Sequence, residues 1–212
     1  MTKITTQPND AVKTLAGAGL RGQSAGETAL CTVGKSGSGL TYCGYDIADL
    51  AKNSSFEEVA YLLFNGELPD QVQLSTYLKE LQMLRDLPEA LKSVLKLIPK
   101  NTHPMDVMRT GCSFLGNLEP ETDFTNQQHS ANRLLAAFPA IMCFWYKYSH
   151  DGIEIECSSN EPTLAGHFLY LLNGTSPSEQ HQRVMDVSLI LYAEHEFNAS
   201  TFSARVCAST LS

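Results

Sequence analysis

Along most of this chain apolar residues return every three or four positions, and only near its beginning do they fall in short β-prone runs. Glu27–Val33 and Leu40–Tyr45 are two such runs, and they flank Lys35-Ser36-Gly37-Ser38-Gly39. Glycine supplies positive φ in turns, so this pattern predicts a hairpin. Beyond it the period is helical. Ser55 and Glu58 form a capping box ahead of an apolar face of Phe56, Val59, Ala60 and Leu63, with Gly66 at the stop and Pro69 after it. Leu74, Tyr77, Leu78, Leu81 and Leu84 predict the next helix. Pro88 restarts a short one carrying Leu91, Val94, Leu95 and Ile98.

Thr102 suits the N-cap of a helix reaching about Leu115, with Met105, Met108, Cys112 and Leu115 on one stripe. Gly111 and Ser113 beside that stripe would let another helix come close. A long aromatic helix follows from Leu134 past Trp145 to Ser149, and Leu164, Phe168, Leu171 and Leu172 mark another before Gly174. Ser176-Pro177-Ser178-Glu179 reads as a second capping box with proline at the first helical position. Its helix would point Val184, Val187, Ser188, Leu191 and His195 inward. Loops are short except around 117–127 and 151–162, and there is no internal repeat. The fold class is all-α with a small N-terminal β-hairpin.

Composition narrows the function classes. The 212 residues are 43% hydrophobic and 18% charged, ordinary for a globular protein, with a net charge of −8. That charge, with no basic patch, argues against a sequence-independent grip on nucleic acid, which needs clustered Lys and Arg. The six cysteines, Cys31, Cys43, Cys112, Cys143, Cys157 and Cys207, have no metal-site or redox-pair spacing, so they read as reduced, mostly buried thiols of a cytosolic protein. Met1–Asp10 lacks the apolar core of a signal peptide and the Arg-rich pattern of a transit peptide. No run of about 18 apolar residues predicts a membrane span. The expected location is cytoplasmic.

Generic catalytic motifs are missing: no phosphate loop, no HExxH, no GxSxG and no metal-spaced histidines. One polar cluster stands out, Tyr192-Ala193-Glu194-His195-Glu196-Phe197-Asn198-Ala199-Ser200-Thr201. His195 facing a cavity can donate to a carboxylate or keto oxygen, and Asn198 can add an amide donor. Ser200 and Thr201 suit the N-cap of a following helix. Periodicity alone favours the plainer reading of His195, a core histidine bonded to a backbone carbonyl.

Wording along the chain shifts that balance. The segment AEHEFNASTFSA at Ala193–Ala204 resembles a diagnostic segment of the 2-methylcitrate synthases, in the citrate synthase family. So do TALCTVGKSG at Thr28–Gly37, GYDIADLA at Gly44–Ala51, FEEVAYLL at Phe56–Leu63, HPMDVMRTG at His103–Gly111 and SLILYAEHE at Ser188–Glu196. The resemblance covers roughly residues 17 to 212 and implies the amino-terminal part of such an enzyme. Residues 1–26 would be a lead-in and 27–212 the first part of a large helical domain. The implied reaction is a Claisen-type condensation of propionyl-CoA or acetyl-CoA with oxaloacetate and water, giving 2-methylcitrate or citrate and CoA. It needs a base, an enol stabiliser and a clamp on the electrophile. Acyl-CoA is a substrate, no cofactor or metal is implied, and the family works as a homodimer in propionate catabolism.

By the same resemblance His195 contacts oxaloacetate and Asn198 lies beside it. The family's PKHGGAN-like and GFGH segments, its catalytic Asp and its oxaloacetate-binding Arg residues belong farther along, so no catalytic residue is assigned here, and the chain is expected to be inactive alone. The rival reading is a non-catalytic helical fragment that binds a small anion or a partner chain. His103 fits a structural place at a helix start, and Arg109 a salt bridge more than a ligand anchor. His129, His150, His167 and His181 read as ordinary surface or packing residues. Cys43 stands where the family usually has Arg, which would break any ion pair made there.

Overall fold

The computed structural model describes residues 26–34 and 39–210; residues 1–25 of the expected lead-in and Lys35–Ser38 of the expected turn lie outside them. The described chain divides into two compact units, Leu30–His195 and a second built from the segments up to Ala29 and from Glu196.

The larger unit opens with strands β1 (Cys31–Val33), β2 (Leu40–Tyr42) and β3 (Tyr45–Asp46) in an antiparallel sheet of that order. Cys31 pairs with Tyr42 and Tyr42 with Tyr45. The expected two-strand hairpin is therefore a three-strand meander. The extra reversal is made by Cys43 at φ 47° and Gly44 at φ 89°, two consecutive left-handed residues as a two-residue hairpin turn demands. Alternation along the strands buries Cys31 and Tyr42 on one face, while Thr32 and Thr41 meet through their hydroxyls on the other.

Helices follow at once. α1 (Ile47–Asn53) is capped by Asp46, and the period of the sequence alone had not revealed it. α2 (Phe56–Asn65) begins with the expected capping box, Ser55 and Glu58 exchanging hydrogen bonds, and ends at Gly66. α3 (Gln71–Met83) carries a second capping box between Asp70 and Gln73, and α4 (Glu89–Leu97) starts after Pro88 as expected. α5 (Pro104–Leu118) is capped by His103, not Thr102: its Nδ1 accepts from the Met105 amide at 3.1 Å. The buried stripe of α5 is Val107, Gly111 and Leu115, and Met105 is exposed.

α6 (Gln127–Tyr146), preceded by a single tight turn at Phe124–Asn126, runs through the centre and ends in one wide turn, Lys147–Asp151. α7 (Leu164–Asn173) is capped by Thr163. α8 (Glu179–Tyr192) is capped by Ser178, whose hydroxyl accepts from the His181 amide; Ser176 does not cap it, and Pro177 precedes the helix. Two apolar clusters form the core. One surrounds α6 with Leu91, Leu95, Val107 and Leu171, and the other joins Tyr42, Leu62, Leu81 and Ile190. Among the described residues no helix is long and apolar enough to cross a membrane.

At Gly111 α6 approaches α5 closely, as a glycine beside an apolar stripe predicts. A methyl group there would sit 2.6 Å from Ile141 Cγ2. Gly111→Ala is expected to destabilise the chain by about 1–3 kcal/mol in urea unfolding, because overpacking outweighs the better helix propensity of alanine. A stabilised variant would mean that the two helices can separate freely.

The smaller unit carries α9 (Ala199–Ser209). Its cap is Asn198, whose side-chain oxygen accepts from the Thr201 amide at 2.9 Å, so the cap falls two residues before the expected Ser200. Arg205 lies over the Phe197 ring and donates to the Glu27 carbonyl.

Candidate functional site

α8 delivers the chain to His195, and the way it is held decides where that histidine stands. Its buried residues are Asp186 and Ile190, with Arg183 on the same stripe. Val184 and Leu191 are 61% and 49% exposed, so the stripe expected to face inward faces outward. The inward face carries charge because that charge has partners. Asp186 Oδ1 accepts from the Phe56 amide at 2.8 Å, and Oδ2 pairs with Arg183 at 2.6 Å. Arg183 also donates to the carbonyls of Ser54 and Ala51. One buried carboxylate thus completes the start of α2, and its arginine completes the end of α1.

The last turn of α8 is fastened by the strands. Tyr42, fully buried, donates its hydroxyl to the Ile190 carbonyl at 3.0 Å and accepts from the Glu194 amide at 3.3 Å. Burial holds this phenol above its ordinary pKa, which keeps it neutral and able to do both. Glu194 Oε1 in turn accepts from the His195 amide at 3.1 Å. His195 is exposed and lies three residues beyond the end of the helix. It is therefore neither on an inward stripe nor a packed core histidine. Asn198, in the other unit, uses its oxygen for the cap of α9, so the group it can offer a ligand is the Nδ2 amide.

His103 caps α5, and Arg109 pairs with Asp106 at 3.1 Å on the surface. Cys43, in the tight turn, points its thiol at the Leu62 carbonyl at 3.7 Å, where a longer arginine would need other space.

A second polar cluster escaped the sequence reading. Glu57, Arg85 and His167 are all essentially buried, and each grips the segment that leads into α7. Glu57 Oε1 accepts from the Leu164 amide at 2.6 Å. Arg85 donates to the Glu161 carbonyl at 2.6 Å and more loosely to those of Ser159 and Pro162. His167 Nδ1 meets the Ser159 hydroxyl at 2.9 Å. Desolvation pushes the Glu57 carboxyl up to about 7, the nearby Arg85 charge opposing part of the rise. Desolvation, with Arg85 adding to it, pushes His167 down to about 3. His167 is thus a neutral packing residue of the core, the buried one of the two places its sequence context allowed.

A family model described as citrate synthase, C-terminal domain, matches residues 19–212. The chain belongs to the citrate synthase family. Within it, the 2-methylcitrate synthase of Shewanella oneidensis is 66% identical over 200 residues, which are 94% of this chain and 53% of that protein. 2-Methylcitrate synthase 2 of Corynebacterium glutamicum is 40% identical over 92% of this chain and 52% of its own length. The crystal structure of citrate synthase from Thermotoga maritima superposes with a TM-score of 0.77 at 32% identity, covering 92% of this chain and 51% of that one. A ternary complex of carboxymethyl coenzyme A and oxaloacetate with the Thermoplasma acidophilum citrate synthase gives 0.84 at 24% identity over 92% of this chain and 52% of that one, a likeness of fold. The chain spans about half the length of the relatives it matches.

Proposed function

We propose that these residues are part of an acyltransferase of the 2-methylcitrate synthase type, joining propionyl-CoA or acetyl-CoA to oxaloacetate and water to release CoA and 2-methylcitrate or citrate. The observation that carries this reading is the 66% identity to the S. oneidensis 2-methylcitrate synthase across 94% of the chain. In it, by resemblance to the family's segment, His195 donates to oxaloacetate and Asn198 is a further oxaloacetate-binding residue through its side-chain amide. His195 is exposed on a segment fastened by Tyr42 and Glu194, so its imidazole is accessible to a ligand. No cofactor is required, because acyl-CoA is consumed as a substrate. The reading includes a cytoplasmic homodimer. The exposed Val184 and Leu191 on α8, with Tyr192 at 90% exposure, form an apolar face that a second copy or a further part of the enzyme would cover.

The test is a chimera in which these residues are joined to the part of the S. oneidensis relative that they do not span. His195→Ala in that protein is expected to raise the KM for oxaloacetate by roughly tenfold or more, the worth of one to two hydrogen bonds to a charged ligand, while the KM for propionyl-CoA changes little. Equal loss for both substrates would assign His195 to folding instead.

A further inference from the structure

The hydroxyl of Tyr42 stands between two groups that an uninterrupted α-helix would bond to each other. Ile190 and Glu194 are four residues apart, so their carbonyl and amide would form the next rung of the α8 ladder. Instead the phenol oxygen lies 3.0 Å from the carbonyl and 3.3 Å from the amide, donating to one and accepting from the other. The Leu191 carbonyl is a further 3.5 Å neighbour. The Ile190 carbonyl also takes the Ala193 amide at 3.3 Å, a tightened last turn. A side chain inserted into the ladder in this way ends the helix and redirects the chain. The carbonyl is buried and the amide part-buried, and both stay satisfied where leaving either unpaired would be costly.

We propose that Tyr42 is a positioning residue for His195: its inserted hydroxyl stops α8 at Tyr192 and turns the Ala193–His195 segment so that the imidazole is presented instead of continuing the helix. Tyr42 can hold that place because it is fixed from its own side. It is fully buried, pairs with Cys31 and Tyr45 across the sheet, and precedes the turn made by Cys43 and Gly44. The Glu194 carboxylate extends the arrangement by accepting from the His195 amide. The inference rests on the oxaloacetate role given to His195 above.

Tyr42→Phe removes the oxygen alone and keeps the ring in the core. In the 212-residue chain, amide exchange at Glu194 is expected to speed up by roughly tenfold while amides in the middle of α8 keep their protection. Unchanged exchange at Glu194 would overturn the inserted-hydroxyl geometry. In the chimera, Tyr42→Phe is expected to raise the KM for oxaloacetate several-fold, leave the KM for propionyl-CoA within about twofold, and add nothing in a His195→Ala background. The cycle separates the two ideas. If His195→Ala leaves the oxaloacetate KM unchanged, the functional reading fails. If His195→Ala raises it and Tyr42→Phe does not, or if the two effects simply add, the positioning role fails and the functional reading stands.

Discussion

Residues 1–212 on their own, mixed with oxaloacetate and propionyl-CoA, are expected to release no CoA above background, even at high protein concentration. Condensation begins with removal of a proton from the carbon beside the thioester, and that carbanion must be held as an enol while it attacks the keto carbon. In the proposed reading His195 and Asn198 act on oxaloacetate only. They orient and polarise the electrophile, and a polarised electrophile without a nucleophile does not react. Glu194 and Glu196 flank His195, and Glu194 Oε1 is engaged by that residue's amide. The PKHGGAN-like segment that resemblance gives the family's catalytic His, and its GFGH segment, do not occur in these residues, and resemblance places the catalytic Asp that serves as base farther along. Loss of one member of a catalytic constellation commonly costs several orders of magnitude in rate, and here most members are absent from the tested polypeptide. Thiol release followed with a chromogenic disulfide checks this. Turnover that disappears with His195→Ala would show that a complete site lies within these residues and that the assignment of roles is wrong.

Where local chemistry determines structure, the sequence could be read closely. The Ser55–Glu58 box needs only residues three apart, and the α2 cap is where it was expected. Gly111 beside an apolar stripe announced a close helix contact, and Ile141 provides it. Failures came where a side chain answers to something distant. α8 was placed with its apolar Val184–Leu191 stripe inward, about 100° from the true inner face. That inner face is marked by Asp186 and Arg183, charges whose partners on α1 and α2 lie some 130 residues earlier. His103 displaced Thr102 as a cap because an imidazole nitrogen can accept an amide as well as a hydroxyl can. The AEHEFNAST wording pointed to His195, yet nothing near it in sequence pointed to Tyr42, 153 positions before it, whose hydroxyl fastens the preceding residue. Glu57 and His167 sit among apolar neighbours at helical spacing, and neither showed that it was buried with Arg85.

That buried cluster gives the second large effect, on stability. Arg85→Met is expected to cost about 2–4 kcal/mol in urea unfolding at pH 6, because it leaves the Glu161 carbonyl and its neighbours at Ser159 and Pro162 without the donors that satisfy them. A loss below about 1 kcal/mol would mean that the 159–164 segment is held by packing alone. The pH dependence then separates the other two members. Glu57 has a folded pKa of about 7 against an ordinary 4.5, so the folded state binds the extra proton between those values. Its contribution is fully present below about pH 4.5 and is lost as pH rises through 7. His167 has a folded pKa of about 3 against an ordinary 6.5, so there the unfolded state binds the extra proton. Its contribution is present above about pH 6.5 and is lost as pH falls toward 3. Each slope is about 1.4 kcal/mol per pH unit, and between pH 4.5 and 6.5 the two oppose and cancel. The intact cluster therefore adds little pH dependence over that range. Glu57→Gln, which keeps an oxygen for the Leu164 amide, should uncover the histidine, with stability rising from pH 3 to 6.5 and level above it. His167→Asn should uncover the carboxyl, with stability falling from pH 4.5 to 7. If either variant's unfolding free energies run parallel to those of the parent chain from pH 4 to 8, that group does not change its proton binding on folding, and the cluster holds the segment by hydrogen bonding alone.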